Sequence, residues 1–130
     1  MDNIELYKQE MLNKKVWAVI GVTPDPDKFG YKIYKKLKEK GYKVYALNPR
    51  YTEVEGDKIY SSIKDLPERP DCVDMVVNHK LSLSVLDEIN AAGIEYVWFQ
   101  PGTFDEAVIE KAEGMGMKIV YYDCVLVALA

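Results

Sequence analysis

Histidine is almost missing from this chain: His79 is the only one in 130 residues, and cysteine is limited to Cys72 and Cys124. One histidine, with neither a Ser/His/Asp order nor metal-ligand spacing around it, offers no catalytic triad and no metal centre. His79 is therefore expected at the surface. Two cysteines are too few for a disulfide scaffold, so a cytoplasmic location is expected. Positive charge is also short. Seventeen Lys and Arg stand against 21 Asp and Glu, giving a net charge of −4 and a pI near 5.1. No overall field draws in nucleic acid, although a local basic pocket for a small anion remains open. Long apolar runs are absent too. The longest, Val16 to Val22, is far short of the roughly 18 residues of a membrane span. Asp2, Glu5 and Glu10 occupy an N-terminus without an apolar signal core, so neither a signal peptide nor a membrane partner is expected.

What the chain does have is core-forming material: 48% of its residues are hydrophobic, enough for one domain over residues 1–130. A leading helix within residues 1–14 aligns Ile4, Tyr7, Met11 and Leu12 on one face. Then Val16–Ile20, Val44–Leu47, Val73–Val77, Tyr96–Phe99 and Ile119–Tyr122 read as strands. Helices over Tyr31–Lys40, Ser82–Ala92 and Phe104–Glu113 separate most of them. A short strand at Ile59–Tyr60 and a helical turn near Ser62–Leu66 fall between the second and third. Continuous apolar strands are buried on both faces, as in a parallel sheet covered by helices. The expected fold is a single Rossmann-like, doubly wound α/β domain whose mainly parallel sheet has about five or six strands.

In such sheets ligands sit beyond the carboxyl ends of the strands, where the strand order reverses. The loop Gly21-Val22-Thr23-Pro24-Asp25-Pro26-Asp27-Lys28 follows the first strand. It reads either as a tight strand-to-helix turn or as a phosphate cradle at a helix start. It matches neither the dinucleotide-binding glycine pattern nor the P-loop. At the end of the second strand, where an NAD site wants a carboxylate, stand Asn48, Pro49 and Arg50. Arg50 favours a phosphate there, and Asn48-Pro49 alternatively reads as an Asx turn. Gln100-Pro101-Gly102 is either a turn or a contact for a ligand amide or carbonyl. The Tyr31, Lys32, Tyr34, Lys35 and Lys36 group reads as a solvated helix face. Cys72 and Cys124 fall at opposite sheet edges, which disfavours an intrachain disulfide. Cys124 is either a small packing residue or a thiol at the ligand edge.

Several segments together resemble the small stand-alone CoA-binding domain proteins, which are similar to the N-terminal domain of the succinyl-CoA synthetase alpha subunit. They are Val19-Ile20-Gly21-Val22-Thr23, Asp25-Pro26-Asp27-Lys28, Gly41-Tyr42, Leu47-Asn48-Pro49, Tyr60-x-Ser62-x-x-Asp65-Leu66-Pro67, Val73-Asp74-Met75-Val76-Val77, Val97-Trp98-Phe99-Gln100-Pro101-Gly102 and Asp123-Cys124. The resemblance implies coenzyme A as ligand and no catalytic machinery in the chain itself. It implies that Gly21, Val22 and Thr23 meet the CoA phosphates and that Lys28 and Arg50 supply cations. Asn48 and Pro49 would lie along the nucleotide, Val77 beside the adenine or pantetheine, and Gln100 and Gly102 at the pocket border. The alternatives are a subunit or module of an acyl-CoA enzyme, or a sensor for another adenine nucleotide such as NAD. The apolar end, Val125 to Ala130, is expected to pack on the domain or on a second copy in a homo-oligomer.

Overall fold

The computed structural model describes residues 3–130. It opens with α1 (Asn3–Leu12), β1 (Val16–Ile20), α2 (Phe29–Glu39) and β2 (Lys43–Leu47). A hairpin of β3 (Glu53–Val54) and β4 (Asp57–Tyr60) follows, then a 3₁₀ turn over Ile63–Asp65. The chain continues as β5 (Cys72–Met75), α3 (His79–Ala91), β6 (Tyr96–Phe99), α4 (Glu106–Gly114), β7 (Lys118–Val120) and α5 (Val125–Ala128). Residues 1 and 2 of the expected leading helix lie outside the described residues.

All seven strands form one sheet in the order β3-β4-β2-β1-β5-β6-β7. Every pairing is parallel except β3 with β4. The fold is thus a Rossmann-like α/β domain, with seven strands where five or six were expected. The addition comes from the hairpin, whose polar Glu53, Glu55, Asp57 and Lys58 hide a strand from any apolar count. Period-two alternation sends Ala18 and Ile20 of β1 to one core and Trp17 and Val19 to the other. α3 and α4 cover the first core through Leu86, Ile89, Val108 and Ala112. α1, α2 and α5 cover the second through Met11, Ile33, Leu37 and Val125. The C-terminal residues Leu126, Ala128 and Leu129 pack against that second core, so the apolar end lies on its own domain. Among the described residues no helix is long and apolar enough to cross a membrane.

The α2 face expected to be solvated is instead half engaged. Tyr34 is buried and donates to Asp57 Oδ2 at 2.8 Å. Lys38 pairs with the same carboxylate, and Tyr31 and Lys35 both reach Glu55. Four side chains of one helix therefore clamp the hairpin.

Candidate functional site

The sheet order reverses between β1 and β5: β2 lies on one side of β1, while the chain returns on the other side at β5. Two cavities open at the carboxyl ends of these strands and share Gly21, Thr23, Val76, Val77 and Asn78 as a common wall. One, of about 490 Å³, continues past Lys28, Phe29 and Gly30 to Gln100–Thr103 and Cys124. The other, of about 570 Å³, runs toward β2 and the hairpin, past Asn48–Tyr51, Ser61–Ile63, Leu81 and Val85.

Backbone proximity makes this wall. Gly21 has φ +110°, and a Cβ there would lie 2.6 Å from the carbonyl oxygen of Val76. A Cβ on Gly30 would come within 2.1 Å of the Gly21 carbonyl oxygen. Only glycine lets the β1 loop, the β5 end and the start of α2 approach this closely. The first-turn amides of α2 have no intrahelical acceptors, and no side chain caps them. α3 also begins here. Its N-cap Asn78 accepts from the amide of Leu81 at 3.0 Å, so the helix starts at His79, three residues earlier than its apolar periodicity indicates. Asn78, a favoured N-cap residue, was the missed signal.

The expected site residues divide between the two cavities. Lys28, Gln100 and Gly102 line the first cavity only, Asn48, Pro49 and Arg50 the second only, and Gly21, Thr23 and Val77 line both. Lys28 and Arg50 are exposed, and neither forms an ion pair among the described residues. Val22 is not brought to either cavity. Its side chain is fully buried, its amide donates to the Leu47 carbonyl (3.3 Å), and its carbonyl accepts from Asn48 Nδ2 (3.0 Å). Asn48 uses its other end too, Oδ1 accepting from the Arg50 amide at 2.9 Å. This is the Asx turn, and it leaves the side chain committed to shaping the loop. Gln100 is 3% exposed and bonds inward to Asp74 and Val125, so it builds the wall rather than offering its amide to the cavity. Thr23 Oγ1 accepts from the Asp25 amide (3.2 Å), and Asp25 Oδ1 from the Asp27 amide (2.9 Å). The Thr-Pro-Asp-Pro-Asp loop is a pair of nested side-chain turns, with the Asp25 carboxylate tied into one of them.

Other lining residues escaped the sequence. Phe29 (63% exposed), Tyr51 and Leu81 stand at the cavity mouths. Large apolar side chains at such positions carry no periodic signal. Cys124 is partly buried against the first cavity, whereas Cys72 is fully buried at the opposite end of the sheet; both are free thiols. Burial, with Asp74 and Asp71 nearby, pushes the Cys72 thiol well above its ordinary pKa. His79 lies exposed, its Nδ1 3.1 Å from Asp105 Oδ2.

Comparison with known proteins gives consistent matches. Residues 15–130 match the family model described as the CoA binding domain. The alpha subunit of the ADP-forming acetate–CoA ligase II of Pyrococcus furiosus is 36% identical over 124 residues, 87% of this chain. This chain spans only 27% of that subunit's length. A hypothetical protein from Pyrococcus horikoshii OT3 superposes with a TM-score of 0.88 at 32% identity, covering 97% of this chain and 88% of its own. The cell-free ID.343 protein from Thermus thermophilus superposes over the full length of both chains, with a TM-score of 0.85 at 29% identity.

Proposed function

Since the chain belongs to the CoA-binding domain family, we propose that it binds coenzyme A or an acyl-CoA across the two joined cavities. The observation that carries this reading is the shared glycine-walled saddle at the β1/β5 reversal, with an unpaired cation on each flank. The diphosphate crosses the saddle at the start of α2, whose first-turn amides donate. Arg50, beside Ser61 and Ser62 in the second cavity, takes the 3′-phosphate of the adenosine end. Lys28 at the start of α2 faces the diphosphate. Tyr51 and Leu81 offer flat apolar surface to the adenine. The pantetheine arm runs through the first cavity along Phe29 and Val76 toward Cys124.

A second reading follows from the likeness to a ligase subunit of which this chain spans about a quarter: it acts as the CoA-holding module of an acyl-CoA enzyme whose remaining parts lie on a partner. Both readings need the same site. Calorimetric titration with CoA, and intact-mass analysis of protein purified under native conditions, test it. The expected results are saturable binding of one CoA per chain and co-purified CoA or acyl-CoA. CoA should also slow alkylation of Cys124 while Cys72 resists it until unfolding. Absence of CoA binding at millimolar ligand would remove the proposal.

A further inference from the structure

Trp98 of β6 and Gln100, the residue just after that strand, hold the segment around Cys124 on either side of the cysteine. Trp98 Nε1 donates to the Asp123 carbonyl at 2.9 Å, and Gln100 Oε1 accepts from the Val125 amide at 3.3 Å. A backbone amide only donates, so the oxygen of Gln100 must face Val125 and its Nε2 must face Asp74. Asp74 Oδ1 accepts that bond at 2.7 Å. The main chain of Gln100 adds more: its amide donates to the Met75 carbonyl, and its carbonyl accepts from Thr103 Oγ1 at 2.7 Å. Gln100 thereby joins β5, the loop before α4 and the start of α5 in one bracket behind the first cavity.

The anchor of this bracket is costly. Asp74 is completely buried in a central strand, and its Oδ2 has no hydrogen-bond partner among the described residues. Burial pushes its carboxyl well above the ordinary carboxylate pKa, with the Gln100 amide pulling the other way. An aliphatic side chain in the same strand would avoid that penalty. A polar group kept at such a position, one residue pair from the ligand edge, points to a positional task rather than a stabilising one.

We propose that Asp74 and Gln100 are positioning residues for the ligand arm. Through Gln100, the buried carboxyl fixes the Asp123–Val125 segment, and with it Cys124, as the inner wall of the Phe29 cavity. The proposal rests on the assignment of that cavity to the pantetheine arm; the wall then sets where the arm ends.

The test compares the parent with Asp74→Asn, Asp74→Leu and Gln100→Met. Asparagine keeps an acceptor for Gln100 Nε2, whereas the other two variants break the bracket. The first readout needs no ligand: the rate at which iodoacetamide modifies Cys124 in the folded protein, followed by peptide mapping. Asp74→Leu and Gln100→Met should raise it about fivefold to tenfold, the loss expected for one or two buried hydrogen bonds, and Asp74→Asn should stay within about twofold of the parent. The second readout is affinity for CoA against adenosine 3′,5′-bisphosphate, which lacks the arm. The two disruptive variants should lose about fivefold to tenfold for CoA and stay within about twofold for the bisphosphate. Equal loss for both ligands, Asp74→Asn behaving like Asp74→Leu, or unchanged Cys124 labelling in all variants would each overturn the positioning role. A parent that fails to bind CoA overturns the assigned ligand instead, while the labelling rates still decide whether the bracket holds the wall. Gln100→Met carries both comparisons if Asp74→Leu does not fold.

Discussion

Asp74 gives the clearest residue-level expectation about pH. Its folded-state pKa lies well above the ordinary value because burial disfavours the carboxylate. Above the unfolded pKa of about 3.9 the unfolded chain releases a proton that the folded chain keeps, so stability falls as pH rises toward the folded pKa. Asp74→Asn removes this penalty. Thermal unfolding should show parent and variant nearly equal below about pH 4, with the variant increasingly more stable toward neutrality. Parallel curves across that range would mean that Asp74 does not hold its proton on folding. Arg50 and Lys28 carry a second expectation, that of their proposed phosphate contacts. A hydrogen bond to a charged group contributes about 1.5–3 kcal/mol, so Arg50→Ala should weaken CoA by tenfold or more and dephospho-CoA little. Lys28→Ala should weaken both ligands alike. Titration of the two ligands against both variants separates the assignments. If both variants bind CoA like the parent at low salt, the cations serve solubility instead. Arg50 stood out in the sequence because a strand-end cation is chemically conspicuous, whereas Lys28 was singled out by the family resemblance. The inward turn of Gln100 was not legible there, because its partners Asp74 and Val125 are each about 25 residues away in the chain.

Elements differ in how openly the sequence declares them. β1, β2, β5 and β6 announce themselves as apolar runs because both of their faces are covered. Of the β3–β4 hairpin only Ile59–Tyr60 was legible, since the rest is a sheet edge held by charges and phenols reaching over from α2. That clamp is also why the tyrosines and lysines of α2, read as a solvated face, turned out to have partners. Lys38 and Tyr34 together hold the Asp57 carboxyl below its ordinary pKa, and burial plus Asp57 hold the Tyr34 phenol above its own. The Asp57 contribution is therefore present above the unfolded carboxylate value and is lost as pH falls through the lowered folded value. With both side chains of the ion pair more than a third exposed, its worth is small. The buried Tyr34 hydroxyl matters more. Tyr34→Phe should cost about 1 kcal/mol, lowering Tm by roughly 3–4 °C for a chain of this size. Hydrogen exchange should accelerate first at the β4 amides, leaving β1 and β5 protected. Uniform acceleration through the sheet would show that the hairpin opens only with the whole domain. The hairpin leads into Ser61 and Ser62 of the second cavity, so the same variant reports how firmly that wall is held.

At the scale of the whole molecule, the strand order decides where a ligand can sit, and the strand tips decide which one. A doubly wound sheet puts its crevice where the crossovers diverge, and here that point lies between β1 and β5. The alternation of apolar runs and helices pointed to the carboxyl ends of the strands, but only the strand order of the folded chain puts the reversal between β1 and β5. The choice among adenine nucleotides depends on β2. NAD recognition wants a carboxylate at its tip for the ribose hydroxyls, whereas Asn48 occupies it with both ends bonded to Val22 and Arg50. Among the described residues Glu88 is the one carboxylate lining the second cavity, and it comes from α3 rather than from the tip of β2. In the proposed binding mode a ligand with a 3′-phosphate gains Arg50, and a ligand with a ribose needing an acid gains nothing. CoA at a hundred times its dissociation constant should stabilise the fold by about 2.7 kcal/mol, a rise of roughly 10 °C in Tm. NAD at the same concentration should move Tm by less than about 2 °C. Dephospho-CoA should fall between them, its deficit relative to CoA disappearing in Arg50→Ala. Equal shifts from NAD and CoA would place recognition in the shared adenosine diphosphate alone and remove the role given to β2.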